Sequence, residues 1–145
     1  PLDYLSVICP YTKSAIESIE RVQRRMCLLI PEVRHLAYQD QLCSLGIYSL
    51  RTRRLRYQII SIFKIYKGFT KLNFTELLDL CPSRRTRGHN SHIIPKFASR
   101  HYRLHFFTVA AISYWNQLRQ EDIEVSSVVA FKARLVLFFY RNNIL

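Results

Sequence analysis

Glycine and proline are scarce in this chain: only three glycines and five prolines interrupt its 145 residues. An all-β sandwich or barrel needs a turn signal about every 8–12 residues, and this sequence has too few of them. About a third of the residues are Leu, Ile, Val or Phe, which is far more than disordered chains contain. A chain of this length also buries a sufficient core without a disulfide or a metal. We therefore expect a mainly α-helical fold in a single domain over residues 1–145.

Hydrophobic periodicity and capping signals predict about five helices in a small irregular bundle. The first begins at the capping-box pattern Ser14–Glu17 and ends at Pro31. Its apolar stripe is Ala15, Ile19, Val22, Met26 and Leu29. The second covers Tyr38–Leu45 and ends at Gly46, whereas the third covers Leu50–Lys67 and lies between the cap Ser49 and Gly68.

Two more helices are expected near the C-terminus, after a short helical turn at Thr75–Leu80. One carries the stripe Phe107, Ala111, Tyr114, Trp115 and Leu118. The other begins near Ser126 or Ser127 and carries Val128, Phe131, Leu135 and Phe138. An aromatic stripe at helical spacing is usually core, although Trp115 and the phenylalanines could instead stack on bases. We expect both stripes to be buried.

A long basic loop, roughly residues 81–104, separates these two groups of helices. No Asp or Glu occurs from Leu80 to Gln120. A solvated loop normally mixes charges of both signs, so a one-sign loop favours an anionic ligand or a disordered tether. Pro95 restricts the residue before it and so favours an extended Ile93–Phe97, which allows at most a short β-hairpin within the loop.

The net charge of +12, dominated by arginine, favours a polyanionic partner. Arginine pairs with phosphate in a bidentate manner, which suits a nucleic-acid backbone. Arginines at the start of the third helix also oppose its dipole, a cost that an external anion would offset. The alternative is an ordinary solvated surface. The candidate nucleic-acid-binding residues are Arg21, Arg24, Arg25, Arg51, Arg53, Arg54, Arg56, Arg84, Arg85, Arg87, Lys96, Arg100 and Arg103.

No pattern in the chain indicates catalysis, a cofactor or a small-molecule substrate. The acidic residues are too scattered to hold the metal ions of a polymerase, and no glycine-rich phosphate loop is present. A zinc site could use Cys81, His89 and His92 with a fourth ligand from His101, His105 or Cys43, but the spacing matches no known finger. We therefore predict that the chain binds no metal. A metal-dependent nuclease that uses His89 and His92 is the least favoured hypothesis.

The cysteine spacing and the lengths of the apolar runs indicate the cellular compartment of the protein. Cys9, Cys27, Cys43 and Cys81 lie far apart, as is usual for reduced thiols. The longest uninterrupted apolar run, Leu135–Tyr140, is too short to span a membrane, and the first residues lack the features of a signal peptide. We expect an intracellular protein, nuclear or cytoplasmic, with no membrane partner.

A set of short motifs occurs along the chain in this order: Tyr4–Val7, Ile19–Arg25, Ile30–Pro31, Arg34–Tyr38, Leu45–Leu50, Arg53–Leu55, Tyr66–Lys67, Thr86–His89, Phe107, Trp115–Asn116, Leu118 and Phe131–Lys132. The ordered set, with similar gaps, resembles the region that follows the catalytic core in LINE-type (non-LTR) retrotransposon reverse transcriptases, particularly the CR1 and Jockey-like groups. The resemblance covers nearly the whole chain.

This resemblance implies a piece of a longer polyprotein whose polymerase palm, thumb and endonuclease lie upstream. The implied role is accessory, namely holding template RNA or target DNA, and the upstream palm and thumb are an implied partner. Two alternatives stay open. The chain could be a protein-docking module, or a decayed or domesticated retrotransposon fragment without retained binding.

Overall fold

A computed structural model describes residues 12–81, 90–94, 107–142 and 144. The described part is mainly helical, as predicted, with seven helices and one two-stranded sheet. Their bounds in chain order are α1 Lys13–Leu28, α2 Tyr38–Ser44, α3 Leu50–Tyr66, α4 Phe74–Leu77, β1 Asp79–Leu80, β2 Ile93–Ile94, α5 Phe107–Trp115, α6 Gln120–Ile123 and α7 Val128–Arg141.

Helix α3 lies at the centre, and α1, α5 and α7 pack around it. Buried side chains cover more than half of the circumference of α3 beyond its first turn, including those of Gln58, Ile60 and Phe63. The ring of Phe63 stacks on that of Phe131 in α7, with 3.9 Å between centroids and 6° between planes. A fully buried aromatic side chain contributes about 1.5–3 kcal/mol through its burial alone. The α3–α5–α7 group is therefore the main source of stability.

The ends of α3 and α7 follow the capping signals in the sequence. The Ser49 hydroxyl accepts a hydrogen bond from the Thr52 amide at 3.1 Å, and the Ser127 hydroxyl accepts one from the Ala130 amide at 3.1 Å. Gly68, just beyond α3, has a φ of 72°, which a glycine adopts without the strain that a Cβ atom would cause. Gly46 has a φ of 62° after α2 in the same way. These predicted boundaries are confirmed.

Helix α1 differs from its prediction at its start and in its buried side. Thr12, not Ser14, is the N-cap, and its hydroxyl accepts a hydrogen bond from the Ala15 amide at 3.3 Å. The side chains of Val22, Met26 and Leu29 are 57%, 61% and 76% exposed. The side of α1 that faces the protein instead carries Glu20 and Gln23, whose polar atoms bond to other elements. The predicted apolar stripe was therefore wrong over most of its length.

The sheet lies partly where the hairpin was expected. β2 falls within the predicted extended stretch, but its antiparallel partner β1 precedes the basic loop, with Asp79 opposite Ile94 and Leu80 opposite Ile93. The Cys81 amide extends the pairing by donating to the His92 carbonyl at 2.8 Å. The predicted turn at Thr75–Leu80 is thus the short helix α4 followed by a strand. Helix α6 had no counterpart in the sequence prediction.

Candidate nucleic-acid interface

The three candidate arginines of α1 form one exposed face. Successive residues of an α-helix are about 100° apart around its axis, so Arg21, Arg24 and Arg25 fall within an arc of about 100°. All three side chains are exposed, as is Glu17 between them. The guanidinium of Arg24 lies 4.8 Å from the centroid of the Tyr38 ring, a cation–π geometry that fixes its position. This surface is called the α1 basic face below.

Polar contacts on the side of α1 that faces α2 and α3 hold the helix in this orientation. One carboxylate oxygen of Glu20 accepts hydrogen bonds from the Tyr38 hydroxyl at 2.6 Å and from the Leu50 amide at 3.3 Å. The side-chain amide of Gln23 donates to the Tyr48 carbonyl at 2.9 Å. Because these bonds tie α1 to α2 and to the start of α3, Arg21 and Arg25 are directed away from the helix bundle, whereas Arg24 lies at the margin next to Tyr38 of α2.

The four candidate arginines of α3 do not share a face. Arg51 and Arg53 are exposed, whereas Arg54 and Arg56 are half-buried. The Arg54 Nε donates to the Leu50 carbonyl one turn earlier, at 3.1 Å, and the Arg56 guanidinium lies 5.8 Å from the centroid of the Tyr48 ring. At about 100° per residue these four positions are distributed around the helix. Arg54 and Arg56 therefore contact this protein's own backbone and rings.

The start of α3 already has an anionic partner in space. The sequence places no acid near its first two turns, but the Glu20 carboxylate from α1 accepts from the Leu50 amide at the first helical position. Negative charge at a helix N-terminus interacts favourably with the exposed amides and the helix dipole. The arginines at the start of α3 therefore do not require an external anion to offset the helix dipole, because Glu20 of the same chain lies there.

The sequence analysis missed a second outward-facing group on α3, formed by Arg53, Tyr57 and Lys64. Their spacing of four and seven residues places them on one side of the helix. Arg53 and Tyr57 are exposed and Lys64 is half-buried. An exposed aromatic ring between cations is a suitable arrangement for stacking on a base while binding backbone phosphate. The four-residue spacing of Arg53 and Tyr57 is the signal from which this group could have been found.

The cations of the basic loop, namely Arg84, Arg85, Arg87, Lys96, Arg100 and Arg103, lie outside the described residues. The segment between them, 90–94, is fixed to the bundle. The Asn116 side chain both accepts from the Ile93 amide and donates to the Ile93 carbonyl, each at 2.9 Å. The Trp115 indole donates to the Ser91 carbonyl at 2.9 Å. Residues 90–94 are therefore attached to the C-terminal end of α5 through Trp115 and Asn116.

Trp115 itself is unsuited to stacking on bases, because its side chain is fully buried. Its ring centroid lies 5.7 Å from that of Tyr66 and 6.3 Å from that of Phe131. The prediction that this aromatic stripe is core is confirmed for its described members.

Three of the six candidate zinc ligands fall within the described residues. Cys43 is exposed, while Cys81 and His92 are half-buried. His89, His101 and His105 lie in the undescribed stretches. Among residues 12–81, 90–94, 107–142 and 144, no three His, Cys, Asp or Glu side chains are grouped so as to hold a metal ion. Within the same ranges, no helix has both the length and the apolar character needed to cross a bilayer.

Comparison with known proteins identifies no relative. No protein-family model matches the chain, and neither a curated protein nor a solved structure does so.

Proposed function

We propose that this chain is an accessory nucleic-acid-binding domain from the C-terminal part of a non-LTR retrotransposon reverse transcriptase. It contacts template RNA or target DNA and performs no polymerase chemistry itself. Its partners are the RNA or DNA backbone and the upstream palm and thumb of the parent protein. It acts in an intracellular ribonucleoprotein, in the nucleus or the cytoplasm.

The observation that carries this proposal is the α1 basic face. Three arginines are exposed on one side of a helix that Glu20 and Gln23 hold against α2 and the start of α3. A helix face of this width presents guanidinium groups to successive phosphates of one strand or to both sides of a groove. The net charge of +12 and the order of the motifs support the same function.

The α1 basic face is tested by replacing Arg21, Arg24 and Arg25 together with Gln and titrating a structured RNA hairpin at several salt concentrations. Each phosphate contact contributes about 0.9 to the slope of log affinity against log salt for B-DNA and about 0.7 for single strands. We expect the triple variant to reduce the slope by about two units. The matched control replaces Lys132, Arg134 and Arg141, which removes the same charge from exposed positions on α7.

Equal slopes for the two triple variants would show that only the net charge matters and would remove the α1 basic face from the proposal. The Arg53–Tyr57–Lys64 group allows an independent check. Tyr57→Ala should weaken binding of single-stranded RNA, because stacking on a base contributes about 1–3 kcal/mol, and should leave the salt slope unchanged.

The second candidate function is a protein-docking module; the remaining alternative is a decayed or domesticated retrotransposon fragment without retained binding. The exposure of Val22, Met26 and Leu29 on α1 favours the docking module. Large apolar side chains exposed next to one another mark surfaces that bind other molecules. Light scattering combined with the RNA titration distinguishes the two functions. A monomer that binds RNA supports the first function, and self-association without RNA binding supports the second.

A further inference from the structure

Helix α7 carries an exposed apolar strip along its outer side. Val129, Leu137 and Tyr140 are 78%, 51% and 73% exposed, and Ala133 between them is also exposed. These four residues, called the α7 strip below, are spaced by four, four and three, so they follow one side of the helix. The opposite side of α7 is buried through Phe131, Leu135, Phe138 and Phe139. α7 is therefore apolar on two sides, of which the bundle covers one.

Cations flank the α7 strip on both sides. Lys132 lies next to one margin, and Arg134 and Arg141 lie next to the other, at about 100° per residue. All three side chains are exposed. No Asp or Glu occurs in the sequence of α7. A molecule that covers the strip thus meets apolar side chains in the centre and positive charge along both margins.

This charge pattern disfavours a second copy of the same helix as the occupant. Two α7 strips facing each other, parallel or antiparallel, would bring Lys132, Arg134 and Arg141 of one copy near the same cations of the other. Like charges juxtaposed across an interface are unfavourable, and α7 has no acid to compensate. An occupant with acidic margins would instead pair with all three cations.

The sizes of the side chains favour a helix over a lipid surface. Helices that bind in the membrane interface present large apolar groups such as Trp, Phe and Leu, whereas half of the α7 strip is Ala133 and Val129. Small side chains between larger ones let a second helix approach to the usual 8–10 Å between axes and receive its side chains. The strip has the 3–4 spacing that such a helix–helix contact requires.

We propose that the α7 strip binds an amphipathic helix of a partner protein, with Leu and Ala along the contact and Glu or Asp on both flanks. Leu137 and Tyr140 are the main apolar contacts, and Lys132 and Arg134 select the acidic flanks. This inference goes beyond nucleic-acid binding and uses none of the residues of the α1 basic face.

The test uses a labelled synthetic helical peptide of about three heptads, with Leu and Ala along one side and Glu on both flanks. A second peptide replaces every Glu with Lys. Fluorescence anisotropy against the whole chain should show binding of the Glu peptide and little binding of the Lys peptide. Leu137→Ser combined with Tyr140→Ser should weaken Glu-peptide binding about ten-fold, because exposed anchors of this kind dominate such contacts.

Matched controls keep the result specific. Val22→Ser with Met26→Ser removes equally exposed apolar side chains from α1 and should change the Kd of the Glu peptide by less than about two-fold. Lys132→Glu with Arg134→Glu should reverse the preference, so that the Lys peptide binds more tightly. Circular dichroism verifies that each variant is folded.

Equal binding of the two peptides, or a Kd unchanged in the Leu137 and Tyr140 variant, would overturn the proposal. Binding to vesicles of equal parts phosphatidylcholine and phosphatidylserine that depends on Leu137, or dimerisation that depends on it, would assign the strip to a membrane or to a second copy instead. RNA binding should be the same in this variant and in the wild type, so failure here is distinct from failure of the nucleic-acid function.

Discussion

At the scale of single residues, Glu20 determines how α1 meets the rest of the molecule. One of its oxygens accepts from both the Tyr38 hydroxyl and the Leu50 amide, so a single carboxylate connects α1, α2 and α3. Its other oxygen is buried and has no hydrogen-bond partner among the described residues. Nothing in the local sequence distinguishes Glu20 from Glu17, which is exposed one turn earlier. The difference arises only from what packs against the helix.

Glu20→Gln should lower the free energy of unfolding by about 1–2 kcal/mol, because it removes the charge from two hydrogen bonds and from the N-terminus of α3. Urea unfolding followed by circular dichroism measures this change. Glu17→Gln is the matched control and should change stability by less than about 0.5 kcal/mol. Equal effects of the two substitutions would contradict the role assigned to Glu20.

Tyr38 should make the stability of the protein sensitive to alkaline pH. Burial, and then the hydrogen bond to Glu20, raise the pKa of Tyr38 above its ordinary value. Tyrosine in the unfolded chain loses its proton near pH 10, whereas folded Tyr38 keeps it to a higher pH. The contribution of the Tyr38 proton to the free energy of unfolding is therefore complete below about pH 10. It decreases as the pH rises from there towards the raised pKa of the folded protein.

The measurement compares urea unfolding of wild type and Tyr38→Phe at several pH values. The difference in unfolding free energy between the two proteins should be constant up to about pH 9 and should shrink above about pH 10. Above that pH, Tyr38 loses its proton when the wild type unfolds, which favours the unfolded state, whereas Phe has no proton to lose. A difference that stays constant throughout the alkaline range would contradict the raised pKa.

At the scale of elements, the sequence predicted best where the signal is local. The bounds of α3 and α7 follow from Ser49, Gly68 and Ser127, since capping depends on residues within one turn. The buried side of α1 could not be predicted in the same way. Its apolar positions cover a wide arc, and only the placement of α2 and α3 decides that Cys27 is buried while Met26 is exposed.

Strand β2 shows a second dependence on distant residues. Asn116 bonds to both backbone groups of Ile93 and so acts as a neighbouring strand on the edge that β1 does not cover. Sequence patterns identify an extended Ile93–Ile94, but they do not show that an asparagine about twenty residues later completes its hydrogen bonding. Trp115–Asn116, a landmark of the retrotransposon resemblance, has this structural explanation.

Asn116→Ala should raise the hydrogen-exchange rate of the Ile93 amide about ten-fold, because the amide loses its acceptor and local opening becomes easier. Exchange measured by NMR at single residues reports this. Gln117→Ala is the control, since the exposed Gln117 side chain donates to the Ser113 carbonyl one turn earlier and not to Ile93. An Ile93 rate that the two variants affect equally would contradict the proposed anchoring.

At the scale of the whole molecule, the excess positive charge could be predicted from the sequence, but its arrangement could not. Composition gives +12 without showing that the α1 arginines share a face or that those of α3 are distributed around it. Nor does it reveal that Glu20 lies at the start of α3. Among the described residues, the proposed nucleic-acid contacts are therefore the α1 basic face and the Arg53–Tyr57–Lys64 group.

The most direct test of nucleic-acid binding is fluorescence anisotropy of the whole chain with a structured RNA hairpin and a DNA duplex of matched sequence, at several salt concentrations. We expect tight binding whose log Kd changes steeply with log salt, by at least about two units per decade, and an affinity that differs between the two ligands. Weak binding with the same Kd for RNA and DNA would contradict the proposed function.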